Sequence, residues 1–303
     1  MANPKLLKAI KAKNDEWITM WPDIAAELPN YKDQLKGKRI LCPCDWDASY
    51  NEKFFYLKGK IKKKLSSTNC NFLKFLISHA EDYKIKSITA SGYDPKKKKG
   101  TKFEDIDYSK YDLIITNPPF SIFEEFINTL VKNKKNFLVI GPTFALSYKN
   151  IIAHFLKKKI SIGYAKQLSG FVSRSGKTFM ANTPEGSNAR ACLWYTNLKL
   201  DYSRRNLILT ESYSNKKYQK FYNFNGINVD KVKNIPYNFK GIMGVPITFL
   251  RKFNPYQFEL LGTGVQAKKT KRWSGDKAML WTEKNGKPDK APFERLLIKN
   301  KKI

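Results

Sequence analysis

The sequence predicts an α/β protein built on a mostly parallel sheet with helices on both faces. Two observations predict it. Short apolar runs alternate with segments whose apolar residues recur at helical spacing, from Lys38 to Gly163. The strongly apolar run Tyr111 to Thr116 leads into a rigid polar turn, Asn117-Pro118-Pro119-Phe120. In sheets of this class, ligands bind beyond the C-terminal ends of the strands.

The elements follow in order. Residues 14–28 read as a capped segment leading into a short helix. Lys38 to Cys42, after Gly37, is a buried strand. Phe54 to Leu65 and Phe72 to Tyr83 have helical spacing. Ile85 to Ala90 is a second strand, closed by Ser91-Gly92. Tyr111 to Thr116 is a third, Ile122 to Val131 a helix, and Asn136 to Ile140 a fourth strand. A helix near Tyr148 to Leu156 and a fifth strand at Ile160 to Gly163 complete this half. After about residue 165, short β-type stretches (Thr178 to Met180, Arg190 to Tyr195, Leu207 to Leu209) alternate with Gly, Asn, Ser and Pro turns. No internal repeat is visible.

Composition narrows the function. The chain has 303 residues, 42% of them hydrophobic, enough for a full core. Its formal charge is +31, from 57 basic and 26 acidic residues. That excess points to a polyanionic partner. Codon bias accounts for Lys over Arg, but not for the shortage of acids. Nucleic acid is favoured over membrane: no apolar run approaches the ~18 residues of a spanning helix, and no signal-peptide core is seen. The cysteines are Cys42, Cys44, Cys70 and Cys192, and only the first two are close. No zinc spacing results, and reduced thiols in a cytosolic protein are expected. His79 and His154 are the only histidines, so a histidine base or a His-rich metal site is not expected. The lysine runs at 62–64, 96–99 and 157–159 read as solvated faces or loops.

The turn after the third strand carries chemistry. Its two prolines fix φ and remove two backbone donors, leaving carbonyls exposed at the strand tip. The Asn117 side-chain oxygen and the Pro118 carbonyl can both accept hydrogen bonds from one –NH2 group. Such acceptors draw a planar amine towards tetrahedral geometry, freeing its lone pair to attack a methyl sulfonium. Phe120 offers a ring for a base to stack on, worth ~1–3 kcal/mol. A base in a duplex must first be flipped out, at roughly a few kcal/mol. The alternative is an ordinary strand-ending turn, since Asn-Pro is common in turns.

Four stretches resemble the EcoRI-like family of adenine-specific DNA methyltransferases. They are Asn14 to Thr19, Ile40 to Asp47 (ILCPCDWD), Thr116 to Phe123 (TNPPFSIF), and Ile227 to Val232 continuing through Gly241 to Leu250 and Asn254 to Glu259. They span nearly the full length, and the order is similar to the gamma arrangement of amino-methyltransferases. The resemblance implies a Rossmann-like class I methyltransferase sheet of seven mostly parallel strands, with a C-terminal target-recognition region. It implies a cofactor-binding and catalytic core over residues 1–165, with 14–28 as an N-terminal cofactor segment. Residues 166–303 would add the remaining core strands and the DNA-reading region.

The resemblance further implies S-adenosylmethionine as donor, S-adenosylhomocysteine as product, no metal, and duplex DNA as substrate. A cognate restriction endonuclease is a possible partner, in the cytoplasm of a prokaryotic cell or of a phage's host. Asn117, Pro118, Pro119 and Phe120 would hold the adenine. Cys42, Pro43, Cys44 and Asp45 would lie under the cofactor, with Trp17 and Thr19 packing from the N-terminal segment and Asn117 at its edge. Asp105, favoured within Glu104 to Asp107, would face the cofactor's adenine.

Two departures stand out. The first strand is followed by Asp45-Trp46-Asp47-Ala48-Ser49 in place of a glycine-rich loop, as in the EcoRI-like family itself. The second strand lacks a terminal acid for the ribose, and Asp94 is the nearest candidate. Bland roles compete at several positions: Asp45 as a helix cap, Trp17 and Trp21 as core anchors, and Gly241 to Leu250 as a turn into a buried strand. Arg174, Lys177, Lys268, Lys269, Lys271 and Arg272 mix charge with nearby aromatics and are the candidate DNA contacts. Rival readings are methylation of RNA adenine or of protein glutamine, both of which use such a turn, and a DNA-binding relic without activity. Cytosine amino methylation usually shows Ser in place of Asn117.

Overall fold

The computed structural model describes residues 17–45, 53–57, 60–61, 70–94, 98–165, 168–173, 177–182, 191–275 and 279–302. Two compact units result, Met1–Lys199 and Leu200–Ile303.

In the first unit, β1 (Trp17–Thr19) precedes α1 (Trp21–Glu27) and the one-turn α2 (Lys32–Leu35). Residues 14–16, where the capped segment was expected to begin, lie outside the described set; α1 itself has Met20 as N-cap without a side-chain bond and a proline in its first turn, which sets the helical φ. Then come β2 (Arg39–Cys42), β3 (Lys53–Leu57), β4 (Lys60–Ile61), α3 (Asn71–Ser78) and β5 (Ser87–Ala90). A small hairpin of β6 (Tyr93–Asp94) and β7 (Lys99–Gly100) leads to β8 (Leu113–Thr116), α4 (Phe123–Lys132), β9 (Asn136–Pro142) and α5 (Lys149–Leu156). The unit closes with β10 (Ser161–Ile162), β11 (Gly170–Ser173), β12 (Thr178–Met180) and β13 (Cys192–Thr196).

The central sheet has the order β10-β13-β9-β8-β2-β5-β3-β4. β9, β8, β2 and β5 are mutually parallel, and β10 shares their direction across the antiparallel β13. Strands β5 and β8 are buried along their whole length, as parallel strands covered on both faces must be. Seven strands from β10 to β3 make the expected mostly parallel sheet, with only β13 and β3 reversed, and the two-residue β4 extends its edge as an eighth.

Phe54 to Leu65 is not the helix its spacing suggested. Residues 53–57 and 60–61 form an antiparallel pair, and β3 adds antiparallel to β5; residues 62–65 lie outside the described set. The aromatic run Phe54-Phe55-Tyr56 suits a pleated edge better than a helix.

Neighbours on β13 show how both faces are covered. Trp194 and Tyr195 point to opposite sides. Trp194 meets Phe72 of α3 edge-on at 5.7 Å, while Tyr195 meets Phe123 of α4 at 4.8 Å and Phe155 of α5 at 6.3 Å. α4 lies so close to the sheet that a Cβ on Gly141 would fall 2.1 Å from the Phe123 ring. A separate three-stranded sheet, β1-β11-β12, pairs Thr19 with Phe171 and Phe171 with Phe179.

The second unit holds β14 (Ile227–Asn228), β15 (Met243–Pro246), β16 (Phe258–Thr263), the short helix α6 (Gly264–Ala267), the hairpin β17 (Glu283–Lys284) and β18 (Lys287–Pro288), and β19 (Arg295–Asn300). Its main sheet runs β14-β15-β19-β16. Phe221, Phe224, Ile242, Ala267, Leu280 and Leu297 form a core with Trp273 against it. Gly244 is needed because a Cβ there would meet the Phe221 ring at 2.6 Å. The buried Arg295 donates to Asn228 Oδ1 at 2.9 Å and to Asp230 at 3.3 Å. The Gly241 to Leu250 stretch is thus a turn into a buried strand. Leu207 to Leu209 is not a strand: the Leu207 N–H and carbonyl are taken by the Gln257 side chain, and Ile208 is 89% exposed.

Candidate active site

The site grows from the C-terminal tips of β2, β5 and β8. The Cys42 carbonyl accepts from Ser91 N–H at 3.0 Å, and Asp45 N–H donates to the Ser91 carbonyl at 3.2 Å. This clasp ties the chain after β2 to the tip of β5. Asp45 then ties the tips together: its carboxylate accepts from Thr116 Oγ1 at 2.6 Å and from Cys70 Sγ at 3.1 Å. Burial raises the Asp45 carboxyl to about 6, against the opposing hydrogen bonds from Thr116 and Cys70. The residue as a whole is half-buried. Burial, then the Asp45 charge, pushes the Cys42 and Cys70 thiols well up, which disfavours their thiolates.

Thr116 is followed by the Asn117-Pro118-Pro119 turn, which enters α4 through the 3₁₀ turn Phe120–Ile122. Asn117 Nδ2 donates to the Trp17 carbonyl at 2.7 Å, which fixes which way the amide faces. Its Oδ1 is buried and has no hydrogen-bond partner. The hydroxyls of Thr19 and Ser91 are likewise buried without partners. Such groups normally cost about 1–3 kcal/mol each, and three of them gather on the β1, β5 and β8 ends. Trp17 is held edge-on to Phe179 at 5.1 Å, and Phe120 meets Phe171 at 6.3 Å.

The structure therefore brings Trp17 against Asn117, and Asp45 against the residue preceding Asn117. Cys42 and Pro43 are buried, and Cys44 is half-buried, near Tyr108. Asp105 is exposed, on the 3₁₀ turn Phe103–Asp105, whose Phe103 carbonyl accepts from Tyr108 Oη at 2.9 Å. Asp94 is half-buried in β6. Phe120 is only 3% exposed, so its ring lies against protein in this conformation. Lys177 is exposed, its ammonium 5.3 Å from the Phe179 ring; Arg174 lies outside the described residues. Lys268, Lys269, Lys271 and Arg272 are exposed in the second unit.

Sequence reasoning missed Thr116, Cys70, Ser91 and the strand Gly170–Ser173 as parts of the site. Only Thr116 carried a local signal, as the last residue of the strand before the turn. The histidines are structural: His79 stacks on Phe75 at 4.1 Å, and His154 bonds Asn128 at 2.8 Å. Among the described residues, no cluster of His, Cys, Asp and Glu could hold a metal, and no helix is long and apolar enough to cross a membrane.

The family model described as adenine-specific methyltransferase EcoRI matches residues 5–111 and 102–301. The type II methyltransferase M.EcoRI of Escherichia coli is 32% identical over 99% of this chain and 98% of its own. M.MgeORF184P of Mycoplasma genitalium is 33% identical and M.MpnI of Mycoplasma pneumoniae 32%, each over 84% of both chains. No solved structure matches the chain. With a family model matched over nearly the whole length and relatives 32–33% identical, the chain belongs to the EcoRI family of adenine-specific methyltransferases.

Proposed function

We propose that this chain transfers a methyl group from S-adenosylmethionine to the exocyclic N6 amine of adenine in duplex DNA, at a fixed sequence, with the adenine flipped out of the helix. The observation that carries the reading is the Asn117 amide. Its Nδ2 is committed to the Trp17 carbonyl, and its buried Oδ1 is unused. An acceptor held this way takes a hydrogen bond from an –NH2 group without reorganising. The Pro118 carbonyl supplies a second acceptor. As the amine nitrogen takes the methyl, the methyl–sulfur bond would break and leave S-adenosylhomocysteine. Both acceptors favour the positive charge that passes to the amine, which then loses a proton to solvent. Holding the amine in line supplies much of the remaining rate.

The cofactor supplies, when bound, an electrophilic methyl on a sulfonium. The residues present fit such a cation: the Asp45 carboxylate offers negative charge, and the Thr19 and Ser91 hydroxyls offer unused hydrogen-bonding capacity. Trp17, Thr19, the Cys42-Pro43-Cys44-Asp45 turn and Asn117 would hold it, with Asp105 beside its adenine. Asp45 also fixes Thr116, and so the base of the catalytic turn. Stacking of the flipped base on Phe120 requires that ring to be uncovered from Phe171.

The +31 charge supports DNA as the substrate. Arg174, Lys177, Lys268, Lys269, Lys271 and Arg272 are the proposed phosphate contacts. A restriction endonuclease acting at the same sequence is the partner this activity implies, in a prokaryotic cytoplasm. Methylation-aware sequencing of DNA from cells expressing the chain should reveal N6-methyladenine at one short motif. Unmodified DNA from cells holding soluble protein would overturn the reading.

A further inference from the structure

We propose that the exposed face of the second unit formed by Val265, Met279 and Phe293, beside the Lys268–Arg272 turn, is where duplex DNA is read. Its lysines and arginine meet phosphates and its apolar side chains meet base edges. The inference rests on the DNA methyl-transfer reading and names a surface for it.

Three separated segments meet here. Val265 N–H donates to Glu294 Oε1 at 3.3 Å. A Cβ on Gly264 would lie 3.1 Å from Leu280 and 3.4 Å from Glu294 Oε1. Residues 264–265, 279–280 and 293–294 are therefore neighbours. Within these segments some side chains turn into the core and their neighbours turn out. Leu280 and Arg295 are buried, while Met279 is 48%, Val265 59% and Phe293 73% exposed. Open apolar side chains brought together on neighbouring segments mark an interaction surface.

Charge says which partner. The chain leaves α6 directly into Lys268-Lys269-Thr270-Lys271-Arg272, all exposed. That turn is held rather than loose. Lys269 N–H donates to the Gln266 carbonyl at 3.2 Å, Thr270 N–H to Ala267 at 2.9 Å, and the Arg272 carbonyl accepts from Asn225 N–H at 3.1 Å. Trp273, next in sequence, packs on the unit's core. α6 is itself fixed by a capping box between Thr263 and Gln266. Four cations on a fixed turn beside an open aromatic and two aliphatic side chains suit a polyanion with stacked apolar rings and methyl groups in its grooves. An acidic protein would match the charge, but gives no reason for an open phenylalanine among lysines.

The division of labour gives the test. Binding of a fluorescein-labelled duplex carrying the methylated motif, and of a scrambled duplex, is measured by anisotropy across salt concentrations. S-adenosylhomocysteine binding serves as the folding control. The variant Lys268→Gln, Lys269→Gln, Lys271→Gln should weaken both duplexes and flatten the log affinity against log salt slope by about 2–3, at ~0.9 per lost phosphate contact. Phe293→Ala should leave that slope unchanged and reduce the preference for the motif duplex roughly tenfold, as lost contact with bases would. Wild-type slope in the lysine variant, or wild-type preference in Phe293→Ala, overturns the assignment while the DNA reading stands. Absence of duplex binding by the wild type overturns both.

Discussion

Replacing Asn117 by alanine separates the two jobs of its amide. The side chain donates one bond, to the Trp17 carbonyl at 2.7 Å, and keeps one buried acceptor unused. Losing the donor leaves a carbonyl of β1 short of a partner, at about 1 kcal/mol net. For a unit of this size that is a fall of roughly 2–4 °C in melting temperature. Losing the acceptor removes preorganised support for the charge that develops on the amine. By analogy with removal of one donor from an oxyanion site, the single-turnover rate should drop at least about 10²–10³-fold, or about 2.7–4 kcal/mol. Asn117→Asp is the sharper probe. It keeps the shape and the acceptor but cannot donate to Trp17, and it places a carboxylate against that carbonyl. It should melt lower than Asn117→Ala. The assay is single-turnover transfer of a labelled methyl to duplex DNA, with calorimetric S-adenosylhomocysteine binding alongside. Binding should change less than tenfold while transfer collapses. Transfer at the wild-type rate by Asn117→Ala would refute the reasoning.

Further outcomes follow from the same contacts. Asp45 has a folded-state value of about 6 against an ordinary 3.8, so its contribution to stability is full below about pH 4 and is lost as pH rises through about 6. Relative to Asp45→Asn, the ligand-free wild type should lose about 1–3 kcal/mol between pH 4 and 7 in denaturant titrations, about 3 being the limit set by the shift. Thr116→Val removes the 2.6 Å bond to Asp45 and should slow methylation, with an effect not additive to that of Asp45→Asn in a double-mutant cycle. Gly141→Ala places a Cβ 2.1 Å from the Phe123 ring and should cost ~1–3 kcal/mol by overpacking, read from urea midpoints. Arg295→Ala leaves the buried Asn228 Oδ1 without its 2.9 Å donor and should destabilise the second unit by about 1–3 kcal/mol, measured by hydrogen exchange in β15 and β19.

What could be read from sequence was what is local. Leu113-Ile114-Ile115-Thr116 is apolar because β8 is buried on both faces, and the prolines after Asn117 announce a turn whatever surrounds it. The partners of that turn were not legible. Thr19 pairs with Phe171 and Asn117 bonds Trp17 across long stretches of chain, and no periodicity links positions so far apart. Cys70 gave no sign of serving Asp45, because a lone cysteine before a helix has many uses. Phe54 to Leu57 has apolar spacing compatible with a helix, and what decides for a strand is the open edge of β5 beside it. The second unit was least legible, since its strands are short and Leu207 is held by the Gln257 side chain instead of a sheet.

The central claim is that Asn117 holds an adenine amine of DNA for methylation. Nucleoside mass spectrometry after incubation of the purified protein with S-adenosylmethionine and duplex DNA tests it most directly. The account predicts N6-methyldeoxyadenosine that accumulates with the wild type and disappears with Asn117→Ala. Label appearing instead on cytosine, on RNA or on a protein glutamine, with DNA adenine unmodified, would contradict it.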